Sequence, residues 1–161
     1  MSLILGVDPG AVSGAYAVLD ASGALLEVDD LPTISSGKLR WVDAPALLSR
    51  LIELRAGRPM LAMVERQGAR PGQGVSSTFV SATAFGSLLA TLQIAGCSLE
   101  LVTAASWKAA LGGLSKDKQA SLDRARLLYP GASLDRIKDH GRAESLLLAH
   151  YARTRVAKAA T

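Results

Sequence analysis

Apolar and polar positions along this chain switch between a period of two and a period near 3.6, and the switches mark its elements. Leu3-Ile4-Leu5-Gly6-Val7 is a continuous apolar run bounded by Asp8-Pro9-Gly10, the pattern of a strand buried on both faces. Gly14–Leu19 is a second strand with small residues at its start. Gly23 turns the chain into a third, antiparallel strand over Ala24–Val28, which Pro32 ends. Thr33–Lys38 reads as a loop. Asp43-Ala44-Pro45 then signals a helix start, with Asp43 at the N-cap and Pro45 in the first turn. Leu47, Leu48, Leu51, Ile52 and Leu54 recur at helical spacing as far as Gly57.

Met60–Val64 is a short apolar strand that delivers Glu65. The Gly-rich stretch from Arg66 to Gly74 has no apolar anchor and predicts a mobile surface loop. Ser76 or Ser77 caps a helix that runs to Gly96 and places Phe79 at a core position. Ser98–Val102 is the next strand. Ser106 caps a short helical turn through Leu111, closed by Gly112-Gly113; Asp117–Tyr129 and Asp139–Arg155 are the last helices. Strands followed by alternating helices and strands imply an α/β chain with a mixed five-stranded sheet and helices on its faces.

Composition narrows the class. The 161 residues, 49% of them hydrophobic, suit a single domain spanning 1–161 with a sizeable core. No apolar run approaches ~18 residues, so no membrane span is read, and no signal peptide is evident at the N-terminus. Cys97 is the single cysteine and sits in an apolar context, so a reducing, cytoplasmic setting is the simplest expectation. The formal net charge of +4 permits a polyanionic partner. Its placement is more telling than its size. Arg66 and Arg70 follow Glu65, Lys116 and Lys118 share a short loop, and Lys138 and Arg142 flank a third acidic stretch.

Three places put carboxylates where chemistry could use them. Asp8 ends the first strand and Glu65 ends Met60–Val64, and ligands of α/β sheets gather beyond the carboxyl ends of strands. If those two strands are parallel neighbours, the side chains converge. At the start of the last helix, His140 and Glu144 stand four apart and share a face, while Asp139 reaches in only if the first turn is irregular. Hard oxygen donors with at most one imidazole suit Mg²⁺ or Mn²⁺. Each residue also has a plainer role: Asp8 as a turn cap, Glu65 as a solvated strand end, Asp139 as an N-cap, His140 as a half-exposed helix residue. Glu144 precedes Leu146-Leu147-Leu148, where an unpaired charge is costly, which favours a role for it.

Taken together, four segments in register resemble the RuvC family of Holliday junction resolvases, most closely its short phage-type members. They are Leu5-Gly6-Val7-Asp8-Pro9-Gly10 with Gly14–Val18, Val64-Glu65 before a loop, Trp107-Lys108 with Lys116-Asp117-Lys118-Gln119, and Gly141-Arg142-Ala143-Glu144-Ser145-Leu146. The resemblance implies an RNase H-like fold, a homodimer, and paired Mg²⁺-dependent nicks in a four-way DNA junction, with two ions per site and Mn²⁺ as a substitute. Carried over by position, Asp8, Glu65 and Glu144 are metal ligands, and Asp139 or His140 supplies the remaining one. Lys118 falls near the scissile phosphate, with Lys108, Lys116, Arg66, Arg70 and Arg142 as DNA contacts. Two departures stand out. Gly141 occupies the position of the earlier of the family's closing acidic pair, and the loop Gly68–Gly74 lacks an aromatic wedge, leaving Arg70 to serve the junction. The altered closing pair motivates an alternative, a non-catalytic branched-DNA-binding protein, and the missing wedge another, a less selective nuclease. A nucleotide-binding protein of the actin and sugar-kinase type needs a duplicated domain, for which this chain is too short.

Overall fold

The computed structural model describes residues 2–10, 14–69, 71–115 and 117–159. Its centre is β1 (Leu3–Asp8), flanked by antiparallel β2 (Ala15–Leu19) and parallel β6 (Met60–Glu65). With β3 (Leu25–Asp30) and β7 (Ser98–Val102) at the edges, the sheet has five strands in the order β3-β2-β1-β6-β7. α1 (Ala44–Arg55) and α2 (Val75–Ile94) cover one face. α4 (Lys118–Leu128) and α5 (His140–Ala159) cover the other, and the short α3 (Ala104–Ala110) follows β7.

Side-chain parity sorts the core and, with it, the chemistry. Along β1, Leu3, Leu5 and Val7 face α1 and α2, whereas Ile4 faces α5. Along β6, Met60, Ala62 and Val64 share the first face and Met63 the second. Successive strand residues alternate sides, so Asp8 and Glu65 both emerge on the α5 face. The parallel register pairs Val7 with Val64, which sets the next residues, Asp8 and Glu65, side by side. The parallel neighbours that the sequence required are present.

α5 crosses β1 at unusually close range. A Cβ on Gly6 would collide with the Ser145 carbonyl oxygen and the Ala149 amide nitrogen, so only glycine fits. This contact lays the first two turns of α5 directly over the end of β1.

Four sequence expectations change. Thr33–Lys38 is part of a hairpin, β4 (Thr33–Ser36) with β5 (Leu39–Val42), turned by Gly37 at φ 59°. The N-cap of α2 is Gly74, without a side-chain cap, because Ser76 and Ser77 already lie inside the helix. α3 begins earlier than expected, capped by Thr103, whose side chain accepts from the Ser106 amide. Phe79 is 64% exposed rather than in the core. It lies on the bare face of α2, an uncharged helix of 20 residues that, among those described, is the one long and apolar enough to cross a membrane. The apolar run was hidden in the sequence by interspersed Ser and Thr, which a helix tolerates. Its opposite face, with Ala84, Leu88, Thr91 and Leu92, is packed into the core. The caps Asp43 and Asp117 are as expected, accepting from Ala46 and Gln119.

Candidate active site

Asp8, Glu65 and Glu144 come together at one end of the sheet. Asp8 is the last residue of β1, Glu65 the last of β6, and Glu144 lies one turn into α5. Burial, and then the nearby charges of Glu144 and Glu65, push the Asp8 carboxyl from the usual range up to about 8. Lys108 and the Gly10 amide pull in the opposite direction and do not compensate. The Asp8 carboxyl thus sits buried beside two other carboxylates.

The short α3 supplies partners for two of them. The Trp107 indole Nε1 donates to Glu65 Oε2 at 2.8 Å, and Lys108 Nζ reaches Glu144 Oε1 at 2.7 Å. Both members of the Lys108–Glu144 pair are well covered, at 14% and 17% side-chain exposure. The same Glu144 oxygen accepts from the buried Ser121 hydroxyl of α4 at 3.1 Å. Among the described residues, no three Asp, Glu, His or Cys side chains are arranged as a ready cage for an ion. The donor set nonetheless fits a hard divalent cation: the oxygens are carboxylate, and burial together with two acidic neighbours raises the Asp8 carboxyl to about 8.

Asp139 and His140 part company. Asp139 closes a 3-10 turn (Ile137–Asp139) and is 3% exposed. It accepts from Arg136 Nε and Nη2 at 2.9 and 2.6 Å and from the Arg136 amide at 2.8 Å, which holds its carboxyl below the usual range. Its charge is therefore spent on Arg136. His140 opens α5, half-buried, one helical turn before Glu144 and on the same side.

The expected basic contacts are divided too. Arg66 is exposed directly after Glu65, and Lys118 is exposed at the first position of α4. Arg142 is folded onto Asp30 and Asp29, at 2.7 and 2.6 Å, tying α5 to the end of β3. Arg70 and Lys116 lie outside the described residues. Beside the ends of β1 and β6 is a cavity of about 460 Å³, lined by Pro9, Gly10, Gln67, Gly68, Gln73 and Ser81 among others.

Sequence reading missed Trp107 and Ser121 as partners of the acidic residues, and it placed Lys108 on DNA, not on Glu144. A signal for the first existed: a buried indole is a donor that needs an acceptor, and Trp107 stands beside a lysine on a seven-residue helix. Nothing local marks Ser121.

No protein-family model matches the chain. A curated relative, the chloroplastic Holliday junction resolvase MOC1 of Chlamydomonas reinhardtii, is 36% identical over 118 residues, which are 70% of this chain. The match covers 13% of that relative, so the chain spans about an eighth of its length. T. thermophilus RuvC in complex with Holliday junction substrate superposes with a TM-score of 0.69 at 19% identity, covering 98% of this chain and 96% of that one. A second Thermus thermophilus RuvC structure gives 0.60 at 23% identity, covering 95% and 96%. The fold is that of RuvC, an RNase H-like arrangement.

Proposed function

We propose that this chain, RuvC-like in fold, is a metal-dependent endonuclease that resolves four-way DNA junctions by paired, symmetric nicks. The observation that supports it most directly is the convergence of Asp8 and Glu65 at two strand ends with Glu144 of α5, close enough that burial and the two glutamates raise the Asp8 carboxyl. The likeness to MOC1 and to RuvC with its junction substrate points to branched DNA.

In this reading Asp8, Glu65 and Glu144 would hold two Mg²⁺ ions, or Mn²⁺ in their place, and His140 would complete the set from the same side of α5. When bound, such a pair supplies an activated water and stabilises the leaving 3′-oxygen. The chain's own residues prepare for this. Asp8 gives up its proton before it can ligate. Lys108 releases Glu144 and turns its charge toward a phosphate. Lys118, three residues before Ser121 on the same helix, meets the scissile phosphate from the α4 side. Arg66 and, outside the described residues, Arg70 and Lys116 take the flanking backbone. Arg142 stays on Asp29 and Asp30 as a brace. Affinity for the junction then falls steeply with salt.

Paired nicks need two sites. Val75, Phe79, Ala82, Gly86, Ala90 and Ile94 form an exposed, uncharged stripe on α2 at spacings of three and four. The small residues admit a second α2 at close range, making a two-fold homodimer with one site for each side of the junction. Phe79→Glu is expected to give monomers in sedimentation and to abolish paired nicking.

The deciding experiment incubates a labelled synthetic four-way junction, with linear duplex as control, in Mg²⁺, Mn²⁺ or EDTA. Metal-dependent paired nicks confined to the junction and lost in Asp8→Asn are the expected result. Equal cutting of duplex would leave a nuclease without junction selectivity. One observation favours a second reading, a non-catalytic junction binder: Lys108 already neutralises Glu144. Tight junction binding with no cutting under any metal would select it.

A further inference from the structure

We infer that Trp107 and Ser121 are positioning residues that fix the carboxylates of Glu65 and Glu144 for metal; the inference rests on the metal-site reading above. Glu65 and Glu144 have long side chains, and a carboxylate on three free torsions pays rotamer entropy each time it is fixed on an ion. Here that entropy is spent in the fold. Trp107 is 0% exposed, it belongs to the buried cluster that also holds Met63, Val102 and Leu122, and its side chain's single polar atom is a donor. It cannot turn away without leaving a buried N–H unpaired, so Glu65 Oε2 is held at 2.8 Å. Ser121 is likewise fully buried, and its hydroxyl meets Glu144 Oε1 at 3.1 Å.

The two donors come from elements that carry none of the carboxylates. Asp8, Glu65 and Glu144 belong to β1, β6 and α5, whereas Trp107 and Ser121 belong to α3 and α4. An outer wall thus orients an inner set, the arrangement in which groups behind the ligands decide metal affinity. Lys108 touches the same Glu144 oxygen as Ser121, but from a different helix, so the Ser121 bond does not depend on that ion pair. The plainer role for Trp107 is that of a core residue whose N–H uses the nearest acceptor. The two roles differ in one respect: only the positioning role ties the indole N–H to ion affinity.

The test is Mn²⁺ binding, followed by calorimetry and by the EPR signal of free Mn²⁺, on the whole chain without DNA. Trp107→Phe keeps an aromatic ring and removes the donor; Ser121→Ala is nearly isosteric and guards against a folding failure in the first. Each is expected to weaken Mn²⁺ about 10–100-fold while retaining a cooperative thermal transition. The same shift should appear in the metal concentration that half-activates junction cleavage, with the rate at saturating metal largely recovered. Binding within twofold of wild type in both variants overturns the inference. Weakening in only one confines it to that residue. Asp8→Asn separates the two levels: if it abolishes Mn²⁺ binding while Trp107→Phe and Ser121→Ala do not weaken it, the metal site stands and the positioning role falls. If wild type binds no Mn²⁺, or Asp8→Asn binds equally well, both fall together.

Discussion

Two acidic regions lie at the same end of this molecule, and they are balanced in opposite ways. Lys108 is paired with Glu144, while Asp8, buried beside Glu144 and Glu65, is driven up to about 8. Asp139, Asp29 and Asp30 face two guanidiniums, Arg136 and Arg142, and Asp139 is held below its usual range. Carboxylates cost a fold little when cations answer them and a great deal when they do not. The answered group therefore reads as structure, bracing the start of α5 against β3. The group around Asp8 keeps a carboxyl raised by burial and by its acidic neighbours, as the metal site proposed above needs.

The contrast can be broken hardest at Asp8. If Asp8 is the ligand proposed above, Asp8→Asn should lower junction cleavage by at least about 10³-fold. The same change should raise the melting temperature of the metal-free protein by roughly 5 °C at pH 7–8, because a neutral amide is buried there without taking up a proton on folding. Cleavage gels and thermal melts in EDTA read the two effects. A melting temperature that falls would mean the trio is not strained.

Next in size is pH dependence. A metal must displace the Asp8 proton, so Mn²⁺ affinity should climb with pH by close to tenfold per unit and level off near pH 8. The sign for stability runs the other way. Asp8 has a folded pKa above its unfolded value, so its protonated form favours the fold, and the metal-free protein loses stability as pH rises from about 4 toward 8. Asp139, with a depressed pKa, contributes above about pH 4, and that contribution is lost as pH falls through its folded value. Melts across pH in EDTA should show both limbs.

Arg136→Ala acts on the second region alone. It strands a buried carboxylate, so the melting temperature should fall by a few degrees and the acid limb should shrink. Mn²⁺ affinity at pH 8 should stay within about threefold of wild type, as expected of a group that is structural. A large gain in affinity would instead show Asp139 released to join the site. Arg142→Lys should produce the smallest change, since the ammonium keeps the charge but contacts Asp29 and Asp30 less well than the fork does. A drop in melting temperature of a degree or two checks it.

Much of this was legible in the chain before any coordinates. The uninterrupted apolar run of β1 and the short run of β6 gave the strands, their parity and the carboxylates at their ends, because burial on two faces leaves a plain pattern. The hairpin β4–β5 was not legible. Its first strand is exposed throughout and its second only half-buried, so no clear apolar alternation marks them, and the Gly37-Lys38 turn was the remaining sign. Phe79 was misplaced because α2 is apolar nearly all round, and such a helix does not say which face is inside. Asp139 and His140 are adjacent and chemically plausible alike. Only the 3-10 turn, which points Asp139 at Arg136, tells them apart.

Gly6 gives the site its mechanical tolerance. The backbone of α5 rests on β1 at a residue two before Asp8, and the atom it rests against belongs to Ser145, the neighbour of Glu144. The spacing between two of the three carboxylates is thus gauged where the two main chains meet, at Gly6 against Ser145 and Ala149, with no side chain between them at that crossing. A methyl group there would act as a shim, lifting the helix and opening the jaws of the site while every acidic residue remained in place. The hydrogen atom of a glycine is, in this sense, the calliper that sets the gap.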